Sequence, residues 1–384
     1  MKDVVAADLA AAYHSRLVDD IREAGFVRRT GRLTIHLARE FGFCYGVDRA
    51  VDYAYQTRKR FPDRRVFLTG EIIHNPHVND RLRAQGIRFL SDPGEDFSTL
   101  GPDDVVILPA FGASVQDLAR LERQGCTLVD TTCGSVLNVW KNVRRYAQDG
   151  LTAVIHGKVH HEETRATASQ ASQVAGGQFL IVLDRNEAET VCDFIRGRAE
   201  RRAFLDRFGA AVSPDFDPDR DLQRIGCANQ TTMLMSESLA IGEMLRQAMA
   251  DRYGPAELQA RFRAFDTICS ATQERQDAVV AMLAEERPAL AIVIGGYNSS
   301  NTCNLAKICA ETAPTYHIAD AASLLSAEMI RHRPVGAPST AAVTELTTAG
   351  WLPAGPVVIG LTAGASTPNN IVGEVIEQLE ALAG

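Results

Sequence analysis

The sequence predicts an α/β fold built from three related α/β domains in a pseudo-threefold arrangement. Short β-branched runs end in small polar turns and lead into helical patterns, the alternation that marks α/β units. Three of these turns carry a cysteine: Cys44 in RLTIHLAREFGFCYGVDRAVDYAYQTRKRF, Cys133 in CTLVDTTCGSVLNVWKNVRRYAQ and Cys269 in FRAFDTICSATQERQDAVVAML. Each cysteine unit is followed by two further strand–turn–helix units.

In chain order, residues 1–31 read as an N-terminal helical extension, a single amphipathic helix. They carry Asp and Glu throughout and lack an apolar signal core, so no targeting segment is expected. Residues 32–133 form the first domain, with VFLTGEIIHNPHVNDRLRAQG and DVVILPAFGASVQDLARLERQG following Cys44. Residues 134–265 form the second, with TAVIHGKVHHEETRATASQA and IGCANQTTMLMSESLAIGEML following Cys133. The cysteine spacings are unequal, 133 − 44 = 89 and 269 − 133 = 136. A charged helical insertion near 185–225 accounts for the excess. Residues 266–384 form the third domain, with LAIVIGGYNSSNTCNLAKIC and PVVIGLTAGASTPNNIVGEVIEQL.

The 384 residues are 46% hydrophobic and 23% charged, an ordinary globular composition. The net charge of −8 argues against a nucleic-acid surface. No apolar run reaches the roughly 18 residues that span a bilayer. A cytoplasmic protein with no nucleic-acid and no membrane partner is expected. Eight cysteines without a CxxC pair suggest neither a disulfide framework nor a zinc ribbon.

In open α/β sheets ligands sit beyond the C-terminal ends of the strands, where the three cysteine turns lie. Three thiolates there are too few for a fully ligated iron–sulfur cluster and leave one metal position open; a three-cysteine zinc site shares that logic. Cys126, Cys192, Cys227, Cys303 and Cys309 lack the shared placement and read as packing residues. Other turns are rich in hydroxyl, amide and imidazole groups. They include His74 in EIIHNPHV, His160, His161 and Glu162 in HGKVHHEET, and Gln230, Thr231 and Thr232 in NQTTM. Asn298, Ser299, Ser300 and Asn301 lie in GGYNSSNT, and Ser366 and Thr367 in AGASTP. One residue caps a helix, so a run such as NSSN offers surplus donors for phosphate oxygens. Glu162 would serve as a proton donor if burial raises its pKa, whereas a lone Glu in a first helical turn is as often solvated.

The motifs GFCYGVDRAV, EIIHNP, DTTC, HGKVHHEETRATAS, NQTTM, TICSATQERQDA, IGGYNSSNT and GLTAGASTP occur in the order found in a known family. From about residue 32 onward the chain resembles the 4-hydroxy-3-methylbut-2-enyl diphosphate reductases of the non-mevalonate isoprenoid route, nearer their plant and cyanobacterial branch. Phe111 stands where many bacterial members carry His, and Gly134 where the family usually has Pro. The resemblance implies a central [4Fe–4S] cluster on Cys44, Cys133 and Cys269, with the substrate hydroxyl at the open iron. It implies that His74, His160, Ser299, Ser300, Asn301 and Ser366 line the diphosphate pocket. Glu162 would supply protons and Thr231 would hold or relay to the hydroxyl, with ferredoxin or flavodoxin as electron donor. A quinolinate-synthase-like dehydratase or a non-catalytic cluster sensor would share the cysteines but not this set of turns.

Overall fold

Runs such as LAIVI and VVIGL can be apolar throughout only where both faces of a strand are covered, as in a parallel sheet flanked by helices. The computed structural model, which describes residues 2–265, 267–337 and 344–383, has that arrangement. The chain is α/β and divides into two compact units, Met1–Phe89 with Ser270–Gly384, and Leu90–Cys269.

The first unit holds a five-stranded sheet in the order Val27–Thr30, Leu33–Leu37, Val357–Ala363, Leu290–Ile294, Thr315–Ile318. Only the first pair is antiparallel. Ile35 lies opposite Ile359, and Ile292 opposite Leu361. Successive side chains leave a strand on opposite faces, so each strand feeds two cores. Ile292 and Ile294 join Ile35, Ile359, Val372 and Leu379, while Ala291 and Val293 join Val279, Leu305 and Cys309. Helix Asn369–Ala383 thus covers one face, and helices Ser270–Glu286 and Ser300–Ala310 cover the other. A parallel pair, Val66–Leu68 and Ile87–Phe89, is joined through helix Pro76–Ala84.

The N-terminal extension departs from the single helix expected. It forms two helices, Lys2–Tyr13 and Arg16–Glu23, because Ser15 is extended and its hydroxyl accepts the Val18 N–H, an N-cap that starts a new helix. Val27–Thr30 then adds an antiparallel edge strand, so the extension completes the sheet. The strand Leu33–Leu37, placed by the sequence at the head of the first domain, pairs with the C-terminal strand Val357–Ala363.

The second unit holds a parallel four-stranded sheet in the order Phe262–Ala264, Ile225–Asn229, Thr152–His156, Phe179–Val182. A second parallel pair, Val105–Leu108 and Thr127–Asp130, is connected by helix Val115–Gln124. Helix Gly134–Gln148 packs Val139, Val143 and Tyr146 into the core of the four-stranded sheet. Gly226 makes that approach possible, since a Cβ there would lie 2.5 Å from the Tyr146 ring. The 185–225 stretch is helical, with Arg185–Ile195, Arg201–Phe208 and Pro218–Asp221. No helix among the described residues is long and apolar enough to cross a membrane.

Candidate active site

Each of the three singled-out cysteines lies where a strand hands over to a helix. Cys44 immediately precedes helix Tyr45–Arg60 and Cys133 precedes Gly134–Gln148; both have extended backbone and neither side chain caps its helix. Cys269 directly precedes Ser270–Glu286. Their backbone N–H groups are anchored, Cys44 to the Ala365 carbonyl at 3.2 Å, Cys133 to Ala110 at 3.0 Å and Cys269 to Thr231 at 3.3 Å. All three residues are partly exposed. The other cysteines differ. Cys192, Cys227 and Cys309 are buried, and burial pushes their thiols up to about 12. Cys303 is buried and donates its S–H to the Tyr297 carbonyl at 3.4 Å, and Cys126 stands at the start of a strand rather than its end. A metal ligand must be a reachable thiolate, which suits the first three and not the buried set.

Within the first unit, the turns after Val66–Leu68, Leu290–Ile294 and Val357–Ala363 meet. Glycine permits the contact: a Cβ at Gly296 would sit 2.3 Å from the His74 carbonyl oxygen. His74 is buried, and its Nδ1 faces the Glu71 carboxylate at 2.8 Å, to which Asn298 also donates at 2.9 Å. The Asn75 amide donates to the Ser366 carbonyl at 2.9 Å. Ser299 caps helix Ser300–Ala310, its hydroxyl accepting the Thr302 N–H. Asn301 Oδ1 accepts the Ala365 N–H at 2.9 Å, while its Nδ2 has no acceptor among the described residues although Asn301 is 2% exposed. Ser300, Ser366 and Thr367 are buried beside them. The first unit thus brings together His74, Ser299, Ser300, Asn301 and Ser366.

The second unit joins the HHEET and NQTTM turns. His161, not His160, caps helix Glu162–Ala171, its ring Nδ1 accepting the Glu163 N–H. Glu163 is 1% exposed and grips Thr231 twice, Oε1 accepting its N–H at 2.6 Å and Oε2 its hydroxyl at 3.0 Å. Gln230 ties the same turns, accepting from the Lys158 N–H and the Thr164 hydroxyl and donating to Thr232. The Phe111 ring meets the His161 imidazole edge-on at 5.6 Å.

This corrects the burial premise placed on Glu162. The proton-donor reading of Glu162 required burial, yet Glu162 is exposed. His160 is exposed as well and lines an open cavity of about 960 Å³ with Arg165, Ser172, Ser213 and Asp215. The cause is helical register. Glu162 and Arg165, three apart, share the solvent face, and the next residue in the doublet turns inward. The Glu162 and Arg165 pair is visible in the sequence, but which glutamate turns inward depends on the Thr231 turn that receives it. Glu71, Asn75 and Glu163 are the functional candidates that sequence reasoning missed.

The family model of the LytB protein matches residues 35–380 of this chain. The chain belongs to the LytB family. It is 49% identical to a 4-hydroxy-3-methylbut-2-enyl diphosphate reductase of Synechococcus sp. (strain CC9311), over 99% of this chain and 93% of the relative. A reductase of the same name from Gloeobacter violaceus is 49% identical, over 100% of this chain and 91% of the relative. Among solved structures, the (E)-4-hydroxy-3-methyl-but-2-enyl diphosphate reductase described as the terminal enzyme of the non-mevalonate pathway is 25% identical. It matches with TM-score 0.55 over 90% of this chain and 99% of that one. The corresponding Plasmodium falciparum enzyme, 21% identical, shares the fold with TM-score 0.64 over 90% of this chain and 87% of that one.

Proposed function

We propose that this chain reductively dehydroxylates (E)-4-hydroxy-3-methylbut-2-enyl diphosphate to isopentenyl and dimethylallyl diphosphates. Two electrons and two protons enter, the C–O bond breaks, and the oxygen leaves as water. The observation that carries the reading is the buried Asn301 amide nitrogen with no acceptor, standing in a wall of neutral donors. A buried N–H left unsatisfied costs about 1–3 kcal/mol, so the site is built for an acceptor that arrives with the substrate. Diphosphate oxygens meet that need. His74, Ser299, Ser300, Asn301 and Ser366 would hold the diphosphate, which lets an acidic protein bind an anion without a broad positive field.

Three partly exposed thiols at helix starts, against four buried thiols and Cys126 at the start of a strand, fit a [4Fe–4S] cluster held by Cys44, Cys133 and Cys269 with one iron position open. Such a cluster supplies the electrons and the Lewis acidity that side chains lack. The protein's own part is positioning and proton transfer. Thr231 would hold the substrate hydroxyl through its Oγ1, and Glu163, bonded to that same oxygen, would hold and deliver the proton, taking the role first placed on Glu162. His161 fixes the helix start from which Glu163 projects. Three α/β domains with boundaries at 32–133, 134–265 and 266–384, set pseudo-threefold around the cluster, belong to this reading. So do a ferredoxin or flavodoxin donor and a cytoplasmic location.

The test is anaerobic reconstitution followed by assay with the hydroxylated diphosphate and a chemical reductant. A brown protein that forms both isomeric C5 diphosphates is expected. A colourless zinc protein without turnover overturns the assignment.

A further inference from the structure

Arg275 is buried, yet among the described residues it pairs with no carboxylate. Its guanidinium donates only to carbonyls: Nη2 to Gly42 at 2.8 Å and to Phe43 at 3.2 Å, Nε to Gly42 at 3.3 Å, and Nη1 to Ala271 at 2.8 Å. A buried cation is costly without an anion, because carbonyl dipoles replace only part of its hydration. The two carbonyls it grips on the far segment belong to the turn that ends at Cys44. Arg275 itself stands in the second turn of the helix that follows Cys269.

The clamped turn is tight. Gly42 has φ +78°, and a Cβ there would meet Asn369 Oδ1 at 2.7 Å. The Gly42 and Cys44 N–H groups are tied to Ala363 and Ala365, so the Arg275 fork closes the carbonyl side of a segment whose amide side is already fixed.

We infer that Arg275 is a positioning residue that sets the Cys44 turn for cluster ligation, and that its buried charge offsets the thiolate ligands. The inference rests on the cluster reading above. The missing anion is then the thiolate-ligated cluster, and the guanidinium both shapes one ligand turn and favours the added electron.

In the anaerobically reconstituted full chain, R275Q is expected to lose cluster absorbance to a ferrous chelator about tenfold faster than wild type, as for the loss of a charge-assisted clamp. Its midpoint potential is expected to move to more negative values, since no cation offsets the added electron. R275K keeps the charge but not the planar fork that spans two carbonyls, so it is expected to lose cluster faster while keeping a near-wild-type potential. In the cluster-free chain, iodoacetamide is expected to label Cys44 faster in both variants and Cys133 at the wild-type rate. An unchanged potential in R275Q overturns the charge role, and equal acceleration at Cys44 and Cys133 overturns the positioning role. If R275Q does not fold, R275K decides: wild-type chelation and Cys44 labelling in it overturn the inference. A wild-type chain that takes up no cluster instead sinks the reductase reading and leaves the labelling comparison to judge Arg275 alone.

Discussion

The polar turns of the first unit and those of the second are built from similar residues but satisfied differently. In the first, the turns are braced by backbone carbonyls and glycine contacts, and a buried donor at Asn301 is left over. In the second, donors and acceptors close on one another, with Glu163 saturating Thr231 and Gln230 tying three partners. An open donor wants a ligand; a closed pair of carboxylate and hydroxyl holds a proton in place. The first arrangement suits binding and the second suits proton transfer.

The sharpest way to break this contrast is the Glu162/Glu163 doublet. Glu163→Gln is expected to lower kcat by about 10²–10⁴-fold, the usual worth of a positioned general acid, with the cluster spectrum retained. Glu162→Gln is expected to stay within a few-fold of wild type. Steady-state kinetics on both variants decides, and a reversed ranking would return the proton role to the exposed residue.

A change in the first unit should act on binding instead. Asn301→Asp keeps an oxygen for the Ala365 N–H but turns the spare donor into an anionic acceptor facing the diphosphate. KM is expected to rise by about 100-fold, as for a site whose hydrogen-bonding group is lost and repelled, with a smaller change in kcat. A kcat defect at unchanged KM would place Asn301 in the chemical step.

Stability on acidification tests both units together. Burial holds the His156 imidazole down to about 4 and that of His317 to about 3, so both stay neutral in the folded chain well below the ordinary histidine value. Below about pH 6.5 the unfolded chain binds protons that the folded chain refuses, so stability falls as pH drops from there toward 4. Thermal melts between pH 7 and 5 are expected to show falling Tm. His156→Gln, with the amide still able to meet the Ser238 hydroxyl, is expected to flatten part of that slope.

The smallest effect concerns Gly134, the first residue of the helix after Cys133. No heavy atom lies within 4 Å of where its Cβ would be, and Cys133 at φ −64°, ψ 140° already has the backbone that precedes proline. Gly134→Pro is expected to stabilise the chain by about 0.4–1 kcal/mol, read as a modest rise in Tm. A fall would show that the turn needs the freedom of glycine.

By itself the sequence determined the strand–turn–helix alternation, the placement of Cys44, Cys133 and Cys269 at helix starts, and the polar turns of the first unit. These are local features, written in β-branched runs, caps and glycines over spans of a few residues. Which of two adjacent glutamates turns inward was decided by the helix register against the NQTTM turn, some 68 residues away. The pairing of Leu33–Leu37 with Val357–Ala363 was likewise settled by packing, whereas the split of the N-terminal extension follows from the local cap at Ser15. Burial and long-range hydrogen bonding choose among locally equivalent residues, and a single chain read in order does not carry that choice.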